Sequence, residues 1–150
     1  MKSVAPALGL LLLACHPSSG TPDDTVLYNG NEQAAALSPG VQPVRIGEGG
    51  AAFPACAASG TVIDLSPSGQ AYLPLRDAPF AEGREIAKLA NGQTLLLCTR
   101  SLDQRWQGVV VPDAGGTDCG ISSPVAAPEA YQGPCKSGWV SSAFVQVRAN

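Results

Sequence analysis

The chain of 150 residues is poor in histidine and in aromatic side chains: it holds one histidine, two tryptophans, three tyrosines and three phenylalanines. The single histidine, His16, lies in the polar stretch HPSSGTPDDT at residues 16–25. Ser–His–Asp and Cys–His catalysis need an imidazole held within hydrogen-bond reach of a nucleophile. A histidine in a flexible polar segment does not meet this need, so we expect no catalytic residues and no enzyme activity.

Other chemistry-bearing patterns are also missing from the sequence. It contains no C-x-x-C pair, phosphate-binding loop, dinucleotide fingerprint or acidic metal-binding loop. We therefore expect no cofactor and no metal. Glycoside hydrolysis by paired carboxylates stays open as a minor alternative, although most of the available acids lie in predicted turns: Asp64, Asp77, Glu82, Glu85 and Asp103.

The N-terminal region combines a positive charge with a short apolar run. Lys2 precedes the apolar residues 4–13, which are too few to span a bilayer. The following Leu12-Leu13-Ala14-Cys15 resembles the lipobox of bacterial lipoproteins. This resemblance implies cleavage before Cys15, a thioether-linked diacylglycerol on its sulfur and acylation of the new N-terminus. An ordinary signal peptide or a buried apolar helix are the alternatives.

Domain boundaries and location follow from that resemblance. We expect a signal peptide at residues 1–14, a lipidated and largely flexible tether at 15–50, and one domain at 51–150. Without residues 1–14, which hold one lysine, eight basic residues face twelve acidic ones, a net charge of −4. This balance argues against nucleic acid as a partner. The residue after Cys15 is not aspartate, which by resemblance to sorting in double-membraned bacteria implies the periplasmic face of the outer membrane.

Four cysteines remain when Cys15 is set aside. An even number in an exported chain predicts two disulfides, and spacing alone leaves all three pairings open. We favour Cys119–Cys135, which would close a loop rich in Gly, Pro and Ala, and this leaves Cys56–Cys98. A four-thiolate zinc site is the competing interpretation.

Short apolar segments separated by turn signals predict a small all-β sandwich or barrel. Leu95 and Leu97 alternate with Leu96 and Cys98 in one predicted strand. The pair Asn91-Gly92 before that strand is typical of a hairpin turn. The remaining strands are predicted at residues 61–65, 73–76, 85–89, 106–111, 138–140 and 144–147, and a long loop at 114–137.

Five motifs follow one another in the sequence: LPLRDAP at 73–79, EIAKLANG at 85–92, TLLLC at 94–98, WQGVV at 106–110 and GWVSSAFV at 138–145. Together they resemble a bacterial SH3-like domain across residues 61–147. The resemblance implies a small SH3-like β-barrel of about five strands with one 3₁₀ turn at residues 141–143, here with a disulfide-closed loop insertion. The loop at 114–137 and Phe144 depart from the family pattern where its ligand groove would lie.

Aromatic side chains are the natural candidates for ligand contact, because they combine apolar area with a stacking face. We select Tyr72, Trp106, Tyr131 and Trp139, and expect Tyr72 and Tyr131 to be exposed. Packing of Trp106, Trp139 and Phe144 in the core is the alternative. The expected function is a non-catalytic cell-envelope lipoprotein, held to the membrane through Cys15, whose domain binds peptidoglycan or an envelope protein. A periplasmic inhibitor or assembly accessory acting through the Cys119–Cys135 loop is the alternative.

Overall fold

The computed structural model describes residues 40–148, which belong to one compact unit. The predicted all-β class is confirmed: the described residues form nine strands and one 3₁₀ turn. The elements are β1 (Arg45–Ile46), β2 (Ala58–Val62), β3 (Leu73–Arg76), β4 (Glu85–Leu89), β5 (Thr94–Arg100), β6 (Trp106–Val111), β7 (Glu129–Ala130), β8 (Lys136–Ser141), the 3₁₀ turn (Ser142–Phe144) and β9 (Val145–Arg148). Within residues 40–148, no helix has the length and apolar character needed to cross a membrane.

The strands form two antiparallel sheets. Seven strands lie in the order β4-β3-β8-β6-β5-β2-β9, and β1 pairs with β7 in a separate two-stranded sheet. The prediction of about five strands closed into a barrel is not confirmed, because β4 and β9 end the larger sheet without pairing to each other. The two-stranded sheet joins a segment predicted as tether to a segment predicted as loop.

The central strands β5 and β6 are buried on both faces. One face belongs to an inner core of Val62, Leu73, Leu75, Leu89, Leu95, Leu97, Val109, Val111 and Val140. The opposite face belongs to an outer core of Val44, Ile46, Ala55, Cys56, Cys98, Val110, Cys119, Ile121 and Tyr131. The alternation of Leu95 and Leu97 with Leu96 and Cys98 produces this division, since successive side chains of a strand point to opposite faces. The fold therefore has a second layer of packing outside the main sheet.

Two segments cover the outer face of β5 and β6: the arm (residues 42–56) and the disulfide loop (residues 112–135). In the arm, Val44 and Ile46 are buried, and Val44 O accepts a hydrogen bond from Tyr131 N at 2.8 Å. Gln42 N donates to Asp77 O at 2.9 Å. The domain boundary at residue 51 stays a prediction; residues 42–46 are packed and hydrogen-bonded against the residues that follow it. The predicted signal peptide, Cys15 and the first part of the tether lie outside the described residues.

The predicted hairpin at Asn91-Gly92 is also corrected. Gly92 adopts a positive φ of 80° in a turn, but β4 pairs with β3 and β5 pairs with β2 and β6. The Asn91 side chain accepts from Leu65 N at 3.0 Å and donates to Leu65 O at 2.8 Å. These bonds tie the turn to the segment after β2, so the two flanking strands diverge into different parts of the sheet.

Several element boundaries differ from the sequence predictions; β8, for example, begins at Lys136, inside the predicted loop. The strand expected at 61–65 is β2, which begins at Ala58 and ends at Val62. Asp64 has a positive φ of 61°, which is incompatible with an extended strand. The 3₁₀ turn begins one residue later than the SH3-like resemblance implies, at Ser142.

Candidate binding groove beside the disulfides

Trp139 is a core residue, which corrects its selection as a ligand-contacting aromatic. Its side chain is 2% exposed, and Nε1 donates a hydrogen bond to Gln42 O at 2.7 Å. The ring lies over Gly108, where an added Cβ would approach Trp139 Cζ3 to 3.3 Å. The indole thus fills the space between β6, β8 and the arm, and offers no face to a ligand.

Tyr131, expected to be exposed in the loop, is buried with 9% exposure. Its hydroxyl donates to Cys119 O at 3.0 Å and accepts from Cys135 N at 3.1 Å. The phenol therefore joins the two ends of the disulfide loop from the inside. This side chain organises the loop rather than contacting a ligand.

Replacement of Tyr131 by phenylalanine should lower the free energy of unfolding by about 1–3 kcal/mol, because it leaves the buried carbonyl of Cys119 and the partly buried amide of Cys135 without their partner. Urea-induced unfolding measures this change. Tyr72→Phe is the matched control and should have little effect, since the Tyr72 side chain is only half-buried. Equal stability of Tyr131→Phe and the parent protein would contradict this role.

Tyr72 and Trp106 are half-buried, so part of each side chain reaches the surface. The Lys88 ammonium lies 4.3 Å from the centre of the Tyr72 ring, a distance typical of a cation–π contact. Lys88 Nζ also lies 3.9 Å from Glu85 Oε1. One face of the Tyr72 ring is therefore occupied by a cation of the same molecule.

Both disulfides lie in the outer core. They join Cys56 to Cys98 and Cys119 to Cys135, the pairing that the sequence analysis favours. The first links the arm to β5, and the second closes the loop. All four sulfurs that a zinc cage would require are thereby used in disulfide bonds.

An open apolar groove of about 360 Å³ lies between the arm, β2, β5 and the disulfide loop. Its lining is formed by Pro54, Cys56, Ala58, Leu96, Pro112, Thr117, Asp118, Cys119, Ile121 and Ser122. Leu96 packs on the outer-core side of β5 and is only partly buried, so this part of the outer face stays accessible. The groove was not predicted from the sequence. The one indication of it there is that Leu96 alternates with Leu95 and Leu97 and so lies on the face that carries the disulfide cysteine Cys98.

The turn that begins the disulfide loop is held by Asp113. Its carboxylate accepts hydrogen bonds from Thr117 N at 3.0 Å and from Thr117 Oγ1 at 2.7 Å. These bonds, chiefly the one from the hydroxyl, hold the pKa of Asp113 below its ordinary value of 3.8. Asp118, on the groove lining, accepts from Gly120 N at 2.9 Å. The rim of the groove on this side is therefore acidic and fixed in place.

Acidification should loosen this turn. A carboxyl whose folded pKa is depressed stabilises the fold above its unfolded pKa, and that contribution disappears as the pH falls through the folded pKa. We expect the Thr117 amide to exchange faster as the pH is lowered through the acid range below 3.8, after correction for intrinsic exchange. Asp113→Asn should remove this pH dependence. An unchanged Thr117 amide in acid would contradict the assignment.

A second groove, of about 400 Å³, lies beside the exposed Phe80. Its charged groups are largely paired, since Arg84 Nε donates to Asp77 Oδ2 at 3.0 Å and Arg84 N donates to Asp77 Oδ1 at 2.8 Å. The groove beside the disulfides is the more apolar of the two and is the better candidate for a binding site.

In residues 40–148, His, Cys, Asp and Glu side chains do not come together in any group of three that could hold a metal ion. No protein-family model, curated protein or solved structure gives a match to this chain. The candidate site therefore depends on the geometry of the groove alone.

Proposed function

We propose that this chain is a non-catalytic, lipid-anchored protein of the bacterial cell envelope whose domain binds a protein partner through the groove beside the disulfides. The observation that carries the proposal is an accessible apolar surface held between two disulfide-bonded segments. Burying apolar area is the main source of protein–protein affinity, and a rigid surface loses little entropy when it binds.

The proposed membrane anchor and cellular location rest on the sequence. The lipobox-like Leu12-Leu13-Ala14-Cys15 favours an acyl anchor on Cys15, and the following His16 favours the periplasmic face of the outer membrane. Two disulfides support an oxidising compartment. An SH3-like relationship for the domain is part of the same proposal. It is supported by motifs that fall in β3, β4, β5, β6 and β8 in the expected order, with a 3₁₀ turn after β8.

Site-specific photo-crosslinking on the intact membrane-anchored protein tests partner binding. A photoreactive residue at Ser122, which is exposed on the groove lining, should give a discrete protein adduct. The control position is Leu102, fully exposed in the turn between β5 and β6, at the end of these strands away from the groove. Absence of an adduct at 122, or the same adduct at 102, would overturn the proposal.

Peptidoglycan binding is the second candidate, favoured by the Tyr72–Lys88 surface. An aromatic ring with an ammonium group over one face suits a ligand that combines sugar rings with carboxylates, because the second face can stack on a sugar and the ammonium can pair with a carboxylate. Purified cell-wall sacculi should then retain the protein, and Tyr72→Ala should release it, whereas Ser122→Trp should not. No retention of the parent protein on sacculi would exclude this candidate.

A further inference from the structure

We infer that the groove binds an extended segment of its protein partner that inserts one apolar side chain and carries lysine or arginine next to it. This inference rests on the proposed function and adds the chemistry of the partner. Its first support is the composition of the groove floor, which Ala58, Leu96 and Ile121 form together with the two disulfides. Such a floor gains most from burying an aliphatic or aromatic side chain.

The charge of the rim supplies the second support. Asp118 is the only charged residue that lines the groove, and Asp113 lies in the same turn as the lining residue Thr117. Among residues 40–148, neither aspartate takes part in a salt bridge, so their negative charge is not offset by a paired cation. Complementary charge on a partner would therefore be cationic. The same rim disfavours a phosphate-bearing partner such as nucleic acid or an anionic lipid surface.

The size of the groove limits what can enter. A volume of about 360 Å³ is near the lower end of the range of ~300–1,000 Å³ found for small-molecule pockets. The groove is also open rather than enclosed, which suits a side chain projecting from a backbone that stays at the surface. An isolated folded domain without a protruding segment would not reach the floor at Leu96.

Titration with labelled peptides tests this chemistry. The probes are three acetylated peptide amides of equal length: alternating Lys and Leu, alternating Glu and Leu, and alternating Lys and Ser. Fluorescence anisotropy is measured with the full acylated protein in neutral detergent, and binding to empty micelles is subtracted. We expect the Lys–Leu peptide to bind about tenfold or more tightly than the other two, because only it offers both an apolar side chain and positive charge.

Variants of the groove locate the binding. Ser122→Trp places a bulky ring on the exposed lining and should weaken Lys–Leu binding about tenfold or more, whereas Ser123→Trp, exposed but outside the lining, should leave it unchanged. Asp118→Asn removes the charge and should weaken binding about two- to fivefold. Circular dichroism of each variant confirms that it is folded.

The outcomes separate this inference from the proposed function. Failure of the Lys–Leu peptide, or equal binding of the Glu–Leu peptide, overturns the inference, and the proposed function still stands if position 122 gives its protein adduct. Loss of that adduct as well overturns both. Unchanged Lys–Leu binding by the Ser122→Trp variant places the binding elsewhere and also overturns the inference.

Discussion

Replacement of Trp139 by alanine is expected to lower the free energy of unfolding by about 3–5 kcal/mol, the range for removal of a large buried aromatic side chain. The indole is 2% exposed, packs over Gly108 and donates to Gln42 O at 2.7 Å. Its loss would leave a cavity between the sheet and the arm and remove the partner of a backbone carbonyl. Urea-induced unfolding, followed by circular dichroism, measures the change.

Two further variants keep this prediction testable if the alanine variant does not fold. Trp139→Phe keeps most of the apolar area but loses the Nε1 donor, and should cost about 1–3 kcal/mol. Trp106→Ala is the matched control on the half-buried tryptophan and should cost less than Trp139→Ala. A Trp139→Ala protein as stable as the parent would contradict a core role and would favour the original selection of this ring as a ligand contact.

Removal of the Cys56–Cys98 disulfide in the double variant Cys56→Ala, Cys98→Ala is expected to cost about 4 kcal/mol. The estimate follows from chain entropy in the unfolded state for a sequence separation of 42 residues. Both cysteines are buried in the outer core, so the arm would also lose packing against β5. Unfolding in urea under non-reducing conditions measures the difference.

The Cys119–Cys135 bridge provides the comparison. Its separation of 16 residues predicts that the double variant Cys119→Ala, Cys135→Ala loses about 3 kcal/mol of unfolding free energy. The Tyr131 hydroxyl would still join the two ends of this loop, so the native loop should persist better than the arm does without its bridge. The predicted order would be contradicted if removal of Cys56–Cys98 lowered the free energy of unfolding less than removal of Cys119–Cys135.

Strand positions could be predicted wherever the pattern is local. The segment at 85–89 matches β4, and that at 106–111 matches β6, because each is a short segment ended by turn residues. The two-sided burial of β5 was also visible in the alternation of Leu95 with Leu96. These features depend only on neighbouring residues.

Features that depend on distant partners were missed or misassigned. β1 was assigned to the tether because its buried residue, Ile46, is covered only when the chain pairs with β7, more than 80 residues later. Tyr131 was expected at the surface because its partners, Cys119 O and Cys135 N, are backbone groups, and no pattern of side chains in the sequence indicates them. The hairpin at Asn91-Gly92 was wrong for the same reason, since the bonds between Asn91 and Leu65 redirect the turn.

The groove could not be predicted either, because it is a gap between three non-adjacent segments rather than a motif. Its residues range from Pro54 to Ser122, and only the folded arm and loop bring them together. The two disulfides predicted from the four cysteines indicated that the arm and the loop would be covalently fixed. They did not reveal that part of the outer face of β5 would stay uncovered.

Mass spectrometry of the protein purified from its native membrane, intact and after non-reducing proteolysis, tests the anchor and the bridged fold together. We predict an N-terminal peptide that begins at Cys15 and carries acyl chains, with disulfide-linked peptides joining Cys56 to Cys98 and Cys119 to Cys135. An unacylated chain that retains residues 1–14 and has free thiols at these positions would contradict both.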